Sequence, residues 1–125
     1  MKIVVVDDER SIVRLVQVNL ERQGYEVSCA FDGREGLAMI EREKPDLVVL
    51  DIKMPGLDGL DLLKMIRDHG DPAIQHIPVI MVAHIEQGYE ERRALDLGAK
   101  AFIRKPFEPH VLVEAVASTL GQSFK

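Results

Sequence analysis

Five short apolar runs, alternating with segments of helical periodicity, constrain the fold of this 125-residue chain more than any other feature. The runs lie at residues 3–6, 25–29, 47–50, 79–82 and 101–103. Most of them are continuous, which is typical of strands that are covered on both faces of a parallel sheet. Between the runs, apolar residues recur at helical spacing, as Ile12, Val16 and Leu20 do. Five successive strand–helix units predict an α/β fold with helices on both faces of one parallel sheet.

The chain is expected to form one domain over residues 1–120, followed by a tail or the start of a linker at 121–125. Gly24 and Gly98 stand just after periodic segments and just before predicted strands. Glycine is favoured there because helices often end with a residue of positive φ. The sequence contains no internal linker, repeat or low-complexity tract that would divide the domain.

The composition of the chain limits which partners the domain can bind and in which compartment it is expected. Sixteen Lys and Arg stand against twenty-one Asp and Glu, and the net charge of −5 argues against broad nucleic-acid binding by this domain alone. Cys29 is the single cysteine, which excludes an internal disulfide and favours a reducing, cytoplasmic setting. No apolar run approaches the roughly 18 residues needed to cross a bilayer, and the first residues lack the features of a signal peptide. We therefore expect a cytoplasmic domain with no membrane partner.

Charged residues follow three of the predicted strands. Asp7 and Asp8 follow the first strand, Asp51 the third and Lys105 the fifth. Ligands of open parallel sheets bind at the carboxyl ends of the strands, so these side chains are expected to converge. Converging carboxylates need a cation, and ligands that are all oxygen suit Mg²⁺ or another hard divalent ion. A carboxylate can also be phosphorylated, with a lysine contacting the phosphoryl oxygens. The alternative is that the acids are only helix caps and turn residues.

Four stretches of the sequence resemble the signature stretches of the receiver domains of two-component response regulators, the chemotaxis regulators among them. They are KIVVVDDE, DLVVLDIKMPGLDG, PVIMV and GAKAFIRKPF, and the resemblance covers essentially the whole chain. It implies a flavodoxin-like (βα)5 fold, a doubly wound sheet of five parallel strands in the order 2-1-3-4-5. It also implies a signalling phospho-acceptor, and not an enzyme that acts on a diffusible substrate. The expected partner is a histidine kinase or phosphotransfer protein.

The same resemblance implies a role for individual residues. By position, Asp51 resembles the phospho-acceptor and Lys105 resembles the lysine that contacts the phosphoryl group. Asp8 resembles a direct ligand of Mg²⁺, and Asp7 resembles the acid that acts mainly through metal-bound water. Lys53 would lend its backbone carbonyl to the metal, together with the Asp51 carboxylate. The resemblance also implies a cis peptide bond between Lys105 and Pro106, and an X–Pro bond can adopt the cis form at little cost.

The chain departs from the family pattern at three positions of the conformational switch. Ala83 stands where the family carries the Thr or Ser whose hydroxyl binds the phosphoryl group, and His84 replaces a small residue beside it. The switch aromatic corresponds to Phe102, which has no hydroxyl. Loss of one hydrogen bond to a charged group costs about 1.5–3 kcal/mol, so we expect phosphorylation to survive and switching to weaken. His84 is either a loop histidine or a hydrogen-bonding or acid–base substitute for the missing hydroxyl.

The resemblance also suggests a partner surface for a homodimer or an effector. It would be formed by the predicted fourth helix, fifth strand and fifth helix, with Tyr89, Arg92 and Arg93 as candidate contacts.

Other functions remain open at this point. A phosphorylation-independent receiver that serves as a binding or dimerisation module should have a damaged acid pocket, and this sequence shows no such damage. A small Mg²⁺-dependent phosphohydrolase should carry a second acid two residues after its nucleophile, where this chain has Lys53. A flavin-binding protein should carry a phosphate-binding loop after the first strand, where this chain has DDERS.

Overall fold

A five-stranded parallel sheet forms the centre of the molecule. The computed structural model describes residues 1–84 and 88–122. The strands are β1 (Lys2–Val6), β2 (Glu26–Ala30), β3 (Leu47–Leu50), β4 (Val79–Ala83) and β5 (Ala101–Arg104). They pair in the order β2-β1-β3-β4-β5, and every pairing is parallel. The predicted fold class and strand order are therefore confirmed.

In the described part of the chain, six helices connect and cover the strands. They are α1 (Arg10–Arg22), α2 (Gly33–Glu43), α3 (Gly59–Arg67), α4 (Pro72–Gln75), α5 (Gly88–Asp96) and α6 (Pro109–Thr119). The four-residue helix α4 was not predicted, so the predicted fourth and fifth helices correspond to α5 and α6. Among the described residues, no helix combines the length and the apolar character needed to cross a membrane.

Local signals place most of the helix boundaries. The side chain of Asp58 accepts a hydrogen bond from the backbone N–H of Asp61 and so caps α3. Gly24 and Gly98 have φ of 93° and 88° and follow α1 and α5, as expected for helix-terminating glycines. Strand β2 begins one residue later than predicted. The N–H of Tyr25 donates to the carbonyl of Leu20 and so closes the end of α1 instead of opening the strand.

Two apolar cores lie on opposite faces of the sheet. The α3-side core lies beneath α2, α3 and α5 and includes Val4, Ile40, Val48, Leu63, Met81 and Ala94. The α1-side core lies beneath α1 and α6 and includes Ile3, Val5, Val16, Ile80, Leu112 and Val116. Successive residues of β1 alternate between the two cores, which explains why its apolar run is continuous. Met65 belongs to neither core, because it lies on the solvent side of α3 and is 42% exposed.

Arg67 connects three segments at the edge of the sheet where the strands begin. Its guanidinium donates four hydrogen bonds to backbone carbonyls, at distances of 2.7–3.2 Å. Two of the acceptors are Gln75, the last residue of α4, and Ile77, between α4 and β4. The other two, Leu97 and Gly98, lie between α5 and β5. One side chain at the end of α3 therefore satisfies carbonyls in two separate loops.

Backbone pairing aligns the opposite ends of the central strands. Val6 and Leu50 are partners in the register of β1 and β3. The N–H of Asp51 then donates to the carbonyl of Val6, at 3.0 Å. The N–H of Lys105 donates to the carbonyl of Ala83, also at 3.0 Å. These bonds place the residues that follow β1, β3 and β5 at a common edge.

Candidate functional site

Three carboxylates converge at the edge where β1 and β3 end. Asp7 and Asp51 are buried, with 3% and 4% of their surfaces exposed, whereas Asp8 is exposed. One oxygen from each of the three side chains can be chosen so that all lie within 4.8 Å of one another. This oxygen-only group has the chemistry preferred by a hard divalent cation. Neither buried carboxylate caps a helix, since α1 begins at Arg10 and α3 at Gly59.

Lys105 supplies a buried positive charge to the same pocket. Its Nζ lies 2.8 Å from Asp7 Oδ2 and 3.5 Å from Asp51 Oδ1. The side chain of Lys105 is 1% exposed, so these contacts are shielded from water. The Lys105–Pro106 bond is cis, as expected from the resemblance. The structure thus brings together the three acids and the lysine that the sequence singled out.

A fourth carboxylate, which the sequence analysis missed, completes the surroundings of Lys105. Glu9 Oε1 accepts a hydrogen bond from Lys105 Nζ at 3.0 Å. The same oxygen lies 3.4 Å from Nε2 of His84. The available signal was an acidic residue directly after Asp7 and Asp8, at the start of a predicted helix. Nothing in the sequence alone connects it to a lysine 96 positions away.

The ionisation of the pocket follows from burial and from the neighbouring charges. Burial, followed by the charge of Asp7, raises the pKa of Asp51 to about 7, against the opposing effect of Lys105. For Lys105, burial disfavours the charged form, yet hydrogen bonds with Asp7 and Glu9 outweigh it and raise the pKa. The hydrogen bond from Lys105 lowers the pKa of Glu9, although burial opposes it. A bound cation would oppose the effects of burial and of Asp7 and would favour the ionised form of Asp51.

The loop after β3 fixes the backbone of Asp51. The N–H of Ile52 donates to Asp51 Oδ1 at 2.9 Å, and the N–H of Gly59 donates to the Ile52 carbonyl at 2.7 Å. A Cβ at Gly59 would collide with the carbonyl oxygen of Asp51, so only glycine allows α3 to begin this close to the acceptor position. Lys53 lies in the same loop with its side chain exposed.

The three departures from the family pattern lie at the end of β4, directly after it and on β5. Ala83 is the last residue of β4 and is buried. His84 follows it, and Nε2 of its exposed ring lies 3.4 Å from Glu9 Oε1. Phe102 pairs with Met81 in the sheet and is partly buried against the α3-side core.

The candidate partner residues are separate from the pocket. Tyr89, Arg92 and Arg93 lie on α5, and all three are exposed. The structure does not bring them into contact with the acidic group.

Comparison with known proteins gives one consistent result. The family model of the response regulator receiver domain matches residues 3–117. The alkaline phosphatase synthesis transcriptional regulatory protein PhoP of Bacillus subtilis is 43% identical over 122 residues. The match covers 98% of this chain and 49% of that protein, so the chain spans about half the length of this curated relative.

Solved structures agree with the sequence comparisons. A CheY-like receiver domain protein from Methanospirillum hungatei is 34% identical with a TM-score of 0.88, and the match covers 96% of this chain and 93% of that one. The BeF3-activated N-terminal receiver domain of Klebsiella pneumoniae RstA is 30% identical with a TM-score of 0.85, covering 98% of this chain and 100% of that one. On the fold, the match of the family model and these relatives, the chain belongs to the response regulator receiver domains of two-component signalling.

Proposed function

We propose that this domain accepts a phosphoryl group on Asp51 from a histidine kinase or phosphotransfer protein. The observation that carries the proposal is the burial of Asp51 beside Lys105 in a pocket that it shares with Asp7 and Asp8. Buried carboxylates that repel each other are unfavourable for stability, and such groups are concentrated at functional sites.

The geometry favours one oxygen of Asp51 as the nucleophile. Oδ1 already accepts the N–H of Ile52 and faces Lys105 Nζ at 3.5 Å, which favours Oδ2 for attack on phosphorus. A P–O bond would form while the P–N bond to the donor histidine breaks, and the imidazole nitrogen would take the electron pair. Lys105 would stabilise charge on the phosphoryl oxygens from a buried position, where its effect is least screened by water.

We infer that Mg²⁺ is the cofactor. The three carboxylates fit a hard cation through their oxygen donors and their mutual distances. Asp7, Asp8, Asp51 and the backbone carbonyl of Lys53 would hold the ion, with Asp7 acting mainly through bound water. When bound, Mg²⁺ would neutralise charge on the carboxylates and on the phosphoryl oxygens.

The response to phosphorylation is proposed to be atypical. Ala83 has no hydroxyl to bind the phosphoryl group, so the coupling between that group and the position of Phe102 should be weak. Restoring the hydroxyl with Ala83→Thr should enlarge the spectral change of the β4–α5 region on phosphorylation. An unchanged response in the variant would contradict this explanation.

The remaining expectations are proposals about the whole protein. Residues 1–120 would act as one cytoplasmic signalling domain, and not as an enzyme with a diffusible substrate beyond its own phosphorylation and dephosphorylation. Residues 121–125 would be a tail or the start of a linker, and 123–125 lie outside the described residues. Partners or a second copy would bind through α5, β5 and α6, where Tyr89 is 64% exposed. No direct nucleic-acid or membrane partner is proposed for this domain.

The proposal is tested by incubating the protein with Mg²⁺ and a small phosphoryl donor and measuring its intact mass. Wild type should gain one acid-labile phosphoryl group, and Asp51→Asn should gain none. Asp61→Asn is a matched control, because Asp61 is exposed on α3 and belongs neither to the acidic group nor to the ion pairs of Lys105. A mass gain that persists in Asp51→Asn would exclude Asp51 as the acceptor. No gain in wild type, together with no spectral response to beryllofluoride, would favour the phosphorylation-independent binding module instead.

A further inference from the structure

Glu9 stands at the N-cap of α1 but does not cap the helix. An N-cap side chain ordinarily accepts a hydrogen bond from the first turn of its helix. The Glu9 side chain makes no such bond, while its backbone carbonyl accepts the N–H groups of Ile12 and Val13. Its carboxylate instead extends across the pocket to Lys105, at 3.0 Å. The Glu9 carboxylate therefore contacts Lys105 instead of capping α1.

His84 is a second neighbour of the same carboxylate. Oε1 of Glu9 lies between Nζ of Lys105 and Nε2 of His84, at 3.0 Å and 3.4 Å. The side chains of Glu9 and His84 are 42% and 60% exposed, whereas that of Lys105 is 1% exposed. The pair thus lies at the rim of the pocket, between solvent and the buried lysine.

We propose that Glu9, positioned by His84, is a resident anion that competes with the incoming phosphoryl group for Lys105 and so limits the rate at which Asp51 is phosphorylated. This inference rests on the proposed function of Asp51. Glu9 acts on the reaction through Lys105, and His84 acts through Glu9, so both are positioning residues.

Charge and access together support this competition. An ammonium group has three N–H donors, and Asp7 and Glu9 already accept two of them. A phosphoryl group approaching Asp51 brings further negative charge toward the carboxylate of Glu9, and like charges repel over such distances. Glu9 is exposed enough to swing outward, and doing so would break its contacts with Lys105 and His84 together. The barrier to phosphorylation would then include the release of Glu9.

The test compares phosphorylation rates of wild type and Glu9→Gln at saturating Mg²⁺. Glutamine keeps the size of the side chain and removes its charge, so the rate should rise roughly three- to tenfold. The increase should be larger with acetyl phosphate than with the less highly charged donor phosphoramidate. Glu26→Gln is the matched control, since it makes the same change in net charge at the start of β2, on the opposite edge of the sheet. His84→Gln should accelerate the reaction less, and should have no further effect when Glu9 is already Gln.

A second measurement needs no metal and no phosphoryl donor. In ¹⁵N spectra of the histidine side chains, recorded with a chelator present, the Nε2 signal of His84 should move in Glu9→Gln and stay in place in Glu26→Gln. Equal rates and equal dependence on the donor in wild type and Glu9→Gln would overturn the inference while leaving Asp51 as the acceptor. Equal acceleration by Glu9→Gln and Glu26→Gln would also overturn it, because net charge alone would then account for the effect. If wild type takes up no phosphoryl group, the proposed function fails and this inference fails with it.

Discussion

Removing the charge of Asp51 should stabilise the metal-free domain, and by an amount that grows with pH. Burial and Asp7 raise the pKa of Asp51 from its ordinary value of 3.8 to about 7 in the folded protein. Folded Asp51 therefore keeps its proton over a pH range in which unfolded Asp51 has lost it, so stability falls as pH rises through that range. The difference between the folded and unfolded pKa of Asp51 lowers the free energy of unfolding by about 1.5 kcal/mol at pH 5 and by about 4 kcal/mol above pH 7.

Urea unfolding of wild type and Asp51→Asn, in chelator at pH 5 and at pH 8, measures this effect. The advantage of Asp51→Asn should be about 2–3 kcal/mol larger at pH 8 than at pH 5. Added Mg²⁺ should stabilise wild type more than the variant, because an ion bound to all three acids favours the folded state. If the extra stability of Asp51→Asn over wild type is independent of pH, or is larger at pH 5, the raised pKa of buried Asp51 is refuted as its cause. Asp61→Asn, the same substitution at an exposed position of α3, is the control.

Three further changes test other parts of the structure. Gly59→Ala should destabilise the fold by roughly 1–3 kcal/mol in thermal unfolding, because the added Cβ meets the Asp51 carbonyl. Gly70→Ala is the control and should be neutral or slightly stabilising, because no atom lies within 4 Å of its added Cβ. Arg67→Met should lower the free energy of unfolding in urea by roughly 2–4 kcal/mol, because four carbonyls lose a charged hydrogen-bond donor. A decrease of less than about 0.5 kcal/mol would show that water replaces the guanidinium as the donor. Asp8→Asn should weaken Mg²⁺ binding about tenfold or more in an NMR titration, and unchanged affinity would remove Asp8 from the ligand set.

The sequence was sufficient to predict the sheet and the convergence of its acids. Alternating short apolar runs and helical stripes imply parallel strands, and parallel strands place Asp7 and Asp51 at one edge whatever the details of packing. The contacts of Glu9 and Arg67 could not be predicted in this way. A charged side chain on a helix finds its partner through tertiary geometry, and Glu9 and Lys105 are 96 positions apart. Helix α4 escaped detection because four residues are too few to show a period.

The two cores impose different demands on the order in which the chain can fold. The buried residues of the α3-side core lie between Val4 and Ala99, so all of them are present once the chain has been made as far as Ala99; Phe102 packs against them later. The α1-side core is completed by α6, whose Leu112, Val113 and Val116 pack with residues from the very start of the chain. During synthesis on a ribosome, apolar side chains such as Ile3 and Ile80 therefore lack part of their cover until α6 has emerged. Premature termination before Pro109 would leave that surface exposed to chaperones and proteases and prone to aggregation.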